Sequence, residues 1–400
     1  MQRTPLIVSV LGLCLVAVAA FSARGGLTGD GLRYAAGALL GGFAGFALYH
    51  AAFGFTGGWR QLVRERRGAG VRAQIILIGL TCAVTYPLIG FEGTTGWNMH
   101  PVVIGMGLSS AIGAFVFGAG MQLGGGCASG TLFTAGGGSL RMVVTLIFFV
   151  LGSVLATAHM TEFWLQLDDL TGIPNIRRIS LITEFGAAGA LCMMGTILGL
   201  AWWMTVRIER GSHGSLEVEA TTDRLLQGRW SLLAGAIALA IVGIGCFLLF
   251  QRPWGVTAGF ALWGAKAFQT AGIPISEWGY WSGWRASQLD SSVFANRTSV
   301  MNFGIVFGAM AAAALAGRFS PVRQISRRDF LTAVVGGLMM GYGARLSYGC
   351  NIGAYLGGLV SGSLHGFWWL IWGFAGSYLG VWMRRELSMD PPVTPRPIAN

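Results

Sequence analysis

Long apolar runs separated by short polar loops make up most of the chain. Nine runs are long enough to span about 30 Å of hydrocarbon, and they cover residues 5–22, 72–90, 100–117, 140–158, 181–206, 231–250, 298–316, 330–344 and 363–383. Residues 34–52 and 255–272 are also apolar, but these runs are shorter and rich in glycine. The pattern predicts an all-α integral membrane protein with about nine transmembrane helices and several re-entrant glycine-rich loops.

The first apolar run has two interpretations. Arg3, the apolar stretch that follows it and the small residues near Ala19 resemble a secretory signal peptide, which would be removed. The run also has an apolar counterpart at 231–250, in the second part of the chain. This counterpart favours a retained first helix.

Two phrases occur twice in the chain, in the same order. Residues 118–130 and 341–353 share the pattern G-x-G-x-x-L-x-x-G-C-x-x-G, at an offset of 223 residues. Upstream, FGFTGGWR at 53–60 matches WGYWSGWR at 278–285, at an offset of 225. Two motifs in one order at nearly one offset indicate a duplicated half.

The duplication suggests how the chain is divided. We predict a first membrane half over 1–206 and a second over 230–387, because each contains one copy of both phrases. The polar stretch 207–229 between them is predicted to be a linker. The proline-rich end, 388–400, is predicted to be a disordered tail on composition.

Charge is sparse and unevenly placed. The chain is 54% hydrophobic and 11% charged, yet its formal net charge is +11. The arginines cluster in short loops beside apolar runs, as the positive-inside rule predicts for cytoplasmic loops, so we expect no nucleic-acid partner. The basic loop 318–328 matches 95–105, which has no Arg or Lys. Equivalent loops of opposite charge character predict an inverted repeat, in a multi-pass protein of the bacterial inner (plasma) membrane, with the lipid bilayer as its surroundings.

Six cysteines occur, none of them in a C-x-x-C pair, so neither a zinc ribbon nor a thioredoxin-type motif is supported. Cys127 and Cys350 stand at equivalent positions in the duplicated glycine phrases, and we predict that these two thiols are functional. A disulfide between them is an alternative, if the two loops meet. The other four lie in apolar runs, where cysteine is a small buried hydrophobe: Cys14, Cys82, Cys192 and Cys246.

The residues around the two functional cysteines suit an anion. Unwound backbone at membrane depth is tolerated only inside the protein or along a polar cavity. Its N–H groups can approach a ligand, and helix N-termini favour anions. A thiol adds a weak, polarisable donor, which favours a sulfur-bearing oxyanion over a hard ion. The predicted substrate path includes the neighbours of the cysteines in both loops, Gly125, Gly126, Ser129, Gly349 and Asn351.

Two basic residues inside apolar stretches are further candidates for the path. Lys266 is the only lysine in the protein, and an ionisable group in an apolar run is expensive and often functional. Snorkelling at a helix end is its alternative role. Arg345 precedes Cys350 by five residues and matches Gln122 in the first half. It either attracts an anion or pairs with a carboxylate.

At these residues the chain resembles the YeeE/YedE family of membrane proteins, whose characterised members take up thiosulfate. The phrases that support the resemblance are GGGCASGT at 124–131, RLSYGCNIGA at 345–354 and SGSLHG at 361–366. The resemblance implies an inward-curved membrane fold whose loops dip to a central constriction. Thiosulfate, or a related sulfur oxyanion, would pass there by successive hydrogen bonds with thiols, among them Cys127 and Cys350.

One position departs from the family pattern. The family's first loop commonly has a cysteine between two aromatic residues, whereas this chain has Gly54 between Phe53 and Phe55. The matching loop of the second half also has a glycine, Gly279. The resemblance therefore implies a sulfur-compound transporter, with a substrate preference or affinity that differs at this point of the path.

Other classes of function have less support. Two thiolates alone would suit Cu(I), but no histidine has ligand spacing near the cysteines, so neither a metal nor a cofactor is predicted. A sulfur-transfer enzyme would need a cysteine of lowered pKa, and no His or Lys adjoins Cys127 or Cys350 in sequence. We expect no enzyme. A module whose basic loops bind a cytosolic sulfur carrier is a third possibility.

Overall fold

The structure, a computed structural model, describes residues 1–91, 96, 98–170, 178–217, 225–321 and 324–390. These residues form helices and loops, and an isolated β-bridge joins Ser180 to Ser363. Eight segments of the described chain are long and apolar enough to cross a membrane. The predicted all-α membrane fold is confirmed, with eight segments of crossing length against about nine predicted.

The helices of the first part of the chain are numbered in order. Within the described residues up to 217 they are α1 (Arg3–Ala23), α2 (Gly31–Ala51), α3 (Phe55–Glu65), α4 (Ala69–Gly90), α5 (Leu108–Gly124), α6 (Ala128–Gly136), α7 (Leu140–His159), α8 (Leu165–Leu170) and α9 (Leu181–His213). A π-helical turn, Met160–Trp164, joins α7 to α8.

The second part repeats this order. Its described helices are α10 (Leu232–Phe250), α11 (Thr257–Thr270), α12 (Ala286–Asp290), α13 (Arg297–Leu315), α14 (Arg327–Leu346), α15 (Gly357–Leu359) and α16 (Leu364–Glu386). Short 3-10 turns occupy much of the stretch between α11 and α13, and a π-helical turn, Asn351–Leu356, precedes α15.

Two of the predicted runs differ from the observed helices. The run 34–52 forms most of α2, a helix of 21 residues, although its glycines suggested a shorter element. The run 100–117 is helical only from Leu108 onward. The backbone before it bonds elsewhere: His100 N donates to Gln251 O at 2.8 Å and Val102 N donates to Ser361 Oγ at 3.0 Å.

Two reciprocal glycine contacts join α5 to α14. A Cβ atom on Gly343 would lie 2.5 Å from Gly113 O, and one on Gly336 would lie 2.8 Å from Gly120 O. At the 223-residue offset, Gly113 matches Gly336 and Gly120 matches Gly343. Each contact is therefore the copy of the other with the halves exchanged. Small residues allow membrane helices to approach this closely.

The same exchange relates the neighbouring helix pairs. A Cβ atom on Gly118 of α5 would lie 2.8 Å from Ser377 N of α16, and one on Gly341 of α14 would lie 2.5 Å from Ser153 N of α7. The repeat matches Gly118 with Gly341 and Ser153 with Ser377. The α5–α16 and α14–α7 pairs are thus equivalent, and the two halves exchange places about a pseudo-two-fold axis.

The direction of this exchange follows from the glycine contacts. Early residues of α5 contact late residues of α14 and late residues contact early ones, as in the Gly113–Gly343 and Gly120–Gly336 pairs. The two equivalent helices are therefore antiparallel. A two-fold axis makes equivalent helices antiparallel only when it is perpendicular to the helix axes. This is the arrangement of an inverted repeat.

Arginine-rich helix ends meet at one end of the bundle, which we call the basic end. Asp390 forms ion pairs there with Arg64 and Arg384. Glu209, which is fully buried, pairs with Arg72 at 2.7 Å and with Arg67 at 3.2 Å. The hydrogen bond from Arg384, together with nearby arginines, holds the pKa of Asp390 below its ordinary value despite partial burial.

The predicted linker and tail are only partly irregular. The helix α9 continues to His213, so the first seven residues of the 207–229 stretch are helical. Residues 218–224 lie outside the described chain, as do 391–400. The described start of the predicted tail is fixed at the basic end through Asp390.

Candidate functional site

The first cysteine loop connects α5 to α6. The helix α5 ends with Gly125 in the left-handed conformation, at φ 92°. Gly126 follows, and Cys127 is the extended residue immediately before α6. A Cβ atom on Gly126 would lie 3.2 Å from the Gly130 carbonyl carbon, so the turn is tight. The Cys127 Sγ lies 3.5 Å from the Ser129 Oγ.

The second loop repeats this design after α14. Cys350 is extended and immediately precedes the π-helical turn. A Cβ atom on Gly349 would lie 2.8 Å from Ala354 N, which explains the glycine. The carbonyl of Cys350 accepts hydrogen bonds from Ala354 N at 2.8 Å and Tyr355 N at 3.3 Å.

Asn351 is the most unusual polar residue of this loop. Its side chain is fully buried, and neither its amide nitrogen nor its amide oxygen has a hydrogen-bond partner within the part of the chain that the structure describes. A buried polar group left unpaired costs about 1–3 kcal/mol, and nearly all such groups in proteins are paired. An amide in this state, next to Cys350, is suited to a ligand.

The structure brings the two cysteines together. Both side chains are 1% exposed and belong to one buried cluster, and their thiols lie within electrostatic range of each other. Both are free thiols, so the alternative disulfide is not formed. The sequence-predicted sites Cys127, Cys350, Ser129 and Asn351 therefore lie on two loops that meet inside the bundle.

Each loop is held by the opposite half. The segment after Cys350 packs on α4, where Tyr86 Oη donates to Leu359 O at 2.8 Å. The helix after Cys127 packs on α13, where a Cβ atom on Gly136 would lie 2.4 Å from Val306 O. The contacts are equivalent, because the repeat matches α4 with α13. Cys82 also belongs to this region, since its Sγ contacts Leu359 O at 3.9 Å.

Arg345 lies one turn before the second loop and is 7% exposed. Its guanidinium donates to Thr257 Oγ1 at 2.7 Å and to Tyr280 Oη at 3.2 Å, while its Nε has no partner. The Arg285 guanidinium stacks on the Tyr280 ring, 4.5 Å from the centroid. We call these four residues the Arg345 cluster.

The Arg345 cluster is a concentration of positive charge. Neither Arg285 nor Arg345 forms an ion pair within the part of the chain that the structure describes, so the predicted alternative of a carboxylate partner is not observed there. Burial alone would raise the pKa of Tyr280. The Arg345 and Arg285 guanidiniums together outweigh burial, so the pKa of Tyr280 lies below its ordinary value. Sequence reasoning missed Tyr280 and Thr257, although Tyr280 lies in the repeated aromatic phrase.

The equivalent position in the first half is neutral. Gln122 matches Arg345, and its amide nitrogen donates to Thr56 O at 3.1 Å and to Ser377 Oγ at 2.8 Å. Its amide oxygen has no partner. The two equivalent side chains thus differ by a full positive charge, although the Arg384 guanidinium donates to the Gln122 backbone carbonyl at 2.7 Å.

Lys266 lies elsewhere. Its Nζ donates to Leu289 O at 2.5 Å, in a smaller buried cluster around α11 and α12. This cluster is separate from the one that contains the two cysteines. The contact stabilises the end of α12, and no contact of Lys266 with the cysteine loops is found among the described residues.

The two glycines of the aromatic phrases have different surroundings. Gly54 is extended, and a Cβ atom there would have no neighbour within 4 Å. It lines a cavity of about 370 Å³ that reaches Glu217 and Arg229. Gly279 instead packs closely, since its Cβ would lie 3.0 Å from a methyl carbon of Thr161.

No group of three His, Cys, Asp or Glu side chains suited to a metal ion occurs within the described residues. The donors around the cysteines are thiols, a hydroxyl and an amide, which together suit hydrogen bonding to an anion.

Comparison with known proteins agrees with this chemistry. The sequence profile of a family described as "Sulphur transport" matches residues 50–379. The chain is similar to the thiosulfate transporter TsuA of Spirochaeta thermophila, with 26% identity over 75% of this chain and 84% of that protein. TsuA of Escherichia coli is 24% identical over 82% of this chain and 87% of its own length. The probable transporter YedE of Escherichia coli is 32% identical, but the match covers 38% of this chain and only 37% of YedE.

Proposed function

The chain belongs to the sulphur transport family, and we propose that it takes up thiosulfate or a related sulfur-containing oxyanion across the bacterial inner membrane. The observation that carries the proposal is the meeting of two duplicated glycine loops, each with a buried thiol. Beside Cys350, the buried amide of Asn351 has no partner. An oxyanion between the loops would give this amide its missing hydrogen bond.

The proposed path begins at the Arg345 cluster. Arg285 lies partly at the surface and Arg345 is buried, so positive charge extends from solvent towards the second loop. This charge attracts an anion without a tight cage, because two of the three Arg345 guanidinium nitrogens already donate to Thr257 and Tyr280. A site on a transport path must bind weakly enough to release its ion.

The middle of the path is formed by thiols. The ion passes from Cys350 and Asn351 to Cys127 and Ser129 by exchanging one hydrogen bond for another. Thiols are weak donors, so each exchange involves a small change in free energy. At the first-half end, Gln122 is neutral where the second half has Arg345. Beyond Gln122 the ion meets the arginines of the basic end, where the Arg384 guanidinium donates to the Gln122 backbone carbonyl at 2.7 Å, so arginines flank both ends of the path.

The path ends at the cavity beside Gly54. At about 370 Å³ this cavity has room for a small oxyanion together with water. A glycine at position 54 leaves the wall open and places no thiol there. We therefore expect the substrate to be held less selectively at this end than at the two cysteine loops.

Uptake into sealed vesicles tests the proposal. Vesicles containing the wild-type protein should accumulate labelled thiosulfate, and unlabelled sulfate, sulfite and selenium analogues should be compared as competitors. Vesicles with the Cys127→Ala, Cys350→Ala double variant are the control. If wild-type vesicles took up no more thiosulfate than vesicles with the double variant, the transport of thiosulfate through the two loops would be refuted.

A sulfur-transfer role is the alternative that the same cysteines allow. It requires a covalent adduct on Cys127 or Cys350, because the thiolate would act as a nucleophile. Mass spectrometry of the protein after exposure to thiosulfate distinguishes the two roles. An unmodified protein that accumulates intact thiosulfate is a transporter. A persulfide on either cysteine indicates transfer, because the thiolate has then taken the outer sulfur of thiosulfate, whose sulfur–sulfur bond breaks to release sulfite. A cytosolic sulfur carrier at the basic end would be a partner in both cases.

A further inference from the structure

Tyr348 adopts a backbone conformation that normally belongs to glycine. Its φ is 60°, in the left-handed region, and it lies two residues before Cys350. The equivalent residue of the first half is Gly125, whose φ is 92°. The turn therefore requires a left-handed residue in both halves. Glycine takes this conformation without strain, whereas a bulky side chain there is a genuine outlier.

Packing does not compensate for this strain. The Tyr348 side chain is 41% exposed, and its one ring contact is an edge-to-face contact with His365 at 5.8 Å. Its hydroxyl has no hydrogen-bond partner within the described residues. Backbone strain that burial does not repay is concentrated at functional sites. A side chain kept in this conformation is therefore a candidate for a role that glycine cannot supply.

The location of Tyr348 suggests that role. It lies three residues after Arg345 and within electrostatic range of Arg285, Arg178 and Asp168. Asp168 is already engaged, because its Oδ1 accepts from Ser109 N at 2.8 Å. Tyr348 thus lies directly before the second cysteine loop, within electrostatic range of the Arg285 member of the Arg345 cluster.

We propose that Tyr348 is a specificity residue for the substrate anion at the Arg345 cluster. Its hydroxyl donates a hydrogen bond to an oxyanion that the two guanidiniums attract, and the rigid left-handed turn holds the ring in position. This inference rests on the proposed transport function. It adds a neutral donor that recognises an oxygen atom, which the guanidinium charge alone does not do.

Two variants and one control distinguish the effect of the Tyr348 hydroxyl on uptake from the effects of its ring and of the backbone strain. Tyr348→Phe removes only the hydroxyl, and Tyr348→Gly removes the side chain together with the strain. Tyr378→Phe, on an exposed tyrosine of α16, is the matched control. Thiosulfate uptake by sealed vesicles is measured over a range of concentrations, with chloride as a competitor that has no oxygen atoms.

A hydrogen bond to a charged ligand contributes enough that its loss should raise KM for thiosulfate about tenfold. We expect this rise in Tyr348→Phe, with the maximal rate little changed and with chloride competing more effectively. Tyr348→Gly should show the same rise while its melting temperature increases, because the strain is gone. Tyr378→Phe should behave as wild type.

The inference is overturned if Tyr348→Phe keeps the wild-type KM and the wild-type response to chloride. It is also overturned if Tyr348→Gly melts lower than wild type, since the tyrosine would then be structural. These outcomes differ from a failure of the proposed function, in which wild-type vesicles themselves take up no thiosulfate.

Discussion

Gly120 and Gly336 lie face to face where α5 and α14 cross, close enough that a Cβ atom on Gly120 would lie 3.0 Å from the Gly336 carbonyl oxygen. The contact repeats, with the halves exchanged, at Gly113 and Gly343. The two helices that lead into the cysteine loops are therefore fixed to each other by bare backbone. This crossing determines how Cys127 and Cys350 approach.

We expect side chains at this crossing to separate the two loops. Gly336→Leu should be strongly destabilising, because its Cβ would lie 2.3 Å from Gly124 N and neither backbone can move freely. Overpacking of this kind costs at least about 1–3 kcal/mol. The melting temperature in detergent should fall by several degrees, and the yield of monodisperse protein should drop.

Gly195→Leu is the control for this prediction. Gly195 also lies inside a helix, α9, but a Cβ there would have no neighbour within 4 Å. Leucine should therefore be accepted at wild-type stability. If Gly336→Leu were equally stable, close backbone contact would not be what holds the halves together.

The sequence predicted those features of the fold that follow from its internal repeat. The paired phrases gave the equivalence of Cys127 and Cys350, and the loop charges gave the inversion that the antiparallel α5 and α14 display. Side-chain partners across the fold were not predictable in this way. The contact of Arg345 with Thr257 joins residues 88 positions apart, and no periodicity or spacing encodes it.

Lys266 shows the limit of the same reasoning. A lone lysine in an apolar run is a functional candidate on energetic grounds, but burial alone does not say which acceptor satisfies it. The acceptor here is the Leu289 carbonyl, which belongs to the five-residue helix α12 within a stretch of short 3-10 turns. Such segments have no hydrophobic period from which their position could be derived.

The first functional prediction concerns the two thiols. Cys127→Ala and Cys350→Ala should each lower uptake of thiosulfate about tenfold or more, because each removes a hydrogen bond to a charged ligand. Serine keeps a donor of similar size, so Cys127→Ser and Cys350→Ser should retain more uptake than alanine. Initial rates in sealed vesicles measure both comparisons.

Cys14→Ala and Cys246→Ala are the controls for the thiols. Cys14 is exposed on α1. Cys246 is buried on α10, where its Sγ lies 3.6 Å from Met301 Sδ of α13. Neither should change uptake by more than about twofold, since neither adjoins the loops. Serine variants as inactive as the alanine variants would point to a nucleophile instead of a donor.

The second functional prediction concerns the positive charge of Arg345. Arg345→Gln should reproduce the neutral Gln122 of the first half and should raise KM for thiosulfate strongly. Arg345→Lys should recover part of the loss, because it restores the charge without the fork of donors. The salt dependence of uptake should weaken in Arg345→Gln, since screening acts on the attraction that is removed.

Lys266→Met is the comparison for Arg345→Gln. A lone lysine on the substrate path predicts reduced transport, whereas the observed contact of Lys266 with Leu289 O predicts a loss of stability at α12. Uptake and melting temperature, measured on the same preparation, distinguish these effects. Normal kinetics with a lower melting temperature would remove Lys266 from the substrate path.

The inverted arrangement predicts the sides on which matched loops lie. A short tag at residues 324–326, at the basic end, should be accessible only from the cytoplasm. A tag at residues 98–100, in the matched loop of the first half, should be accessible from the periplasm. Protease digestion of intact and opened cells reports the side of each tag. Both tags on one side would contradict an inverted repeat across the membrane.

The last prediction concerns the open wall at Gly54. Because this residue is extended and a Cβ there meets nothing within 4 Å, Gly54→Cys should fold as well as wild type. The new thiol would face the cavity of about 370 Å³, so a small charged thiol reagent should label it from the basic end. If the substrate reaches this cavity, thiosulfate should slow the labelling in proportion to its occupancy. Gly211→Cys, made on the same background at the exposed polar end of α9, should fold equally well because a Cβ there also meets nothing within 4 Å. Gly211 is not among the residues that line the cavity, so thiosulfate should leave its labelling unchanged. Labelling of Gly54→Cys that is indifferent to thiosulfate would mean that the path from Cys127 leaves the protein by another route.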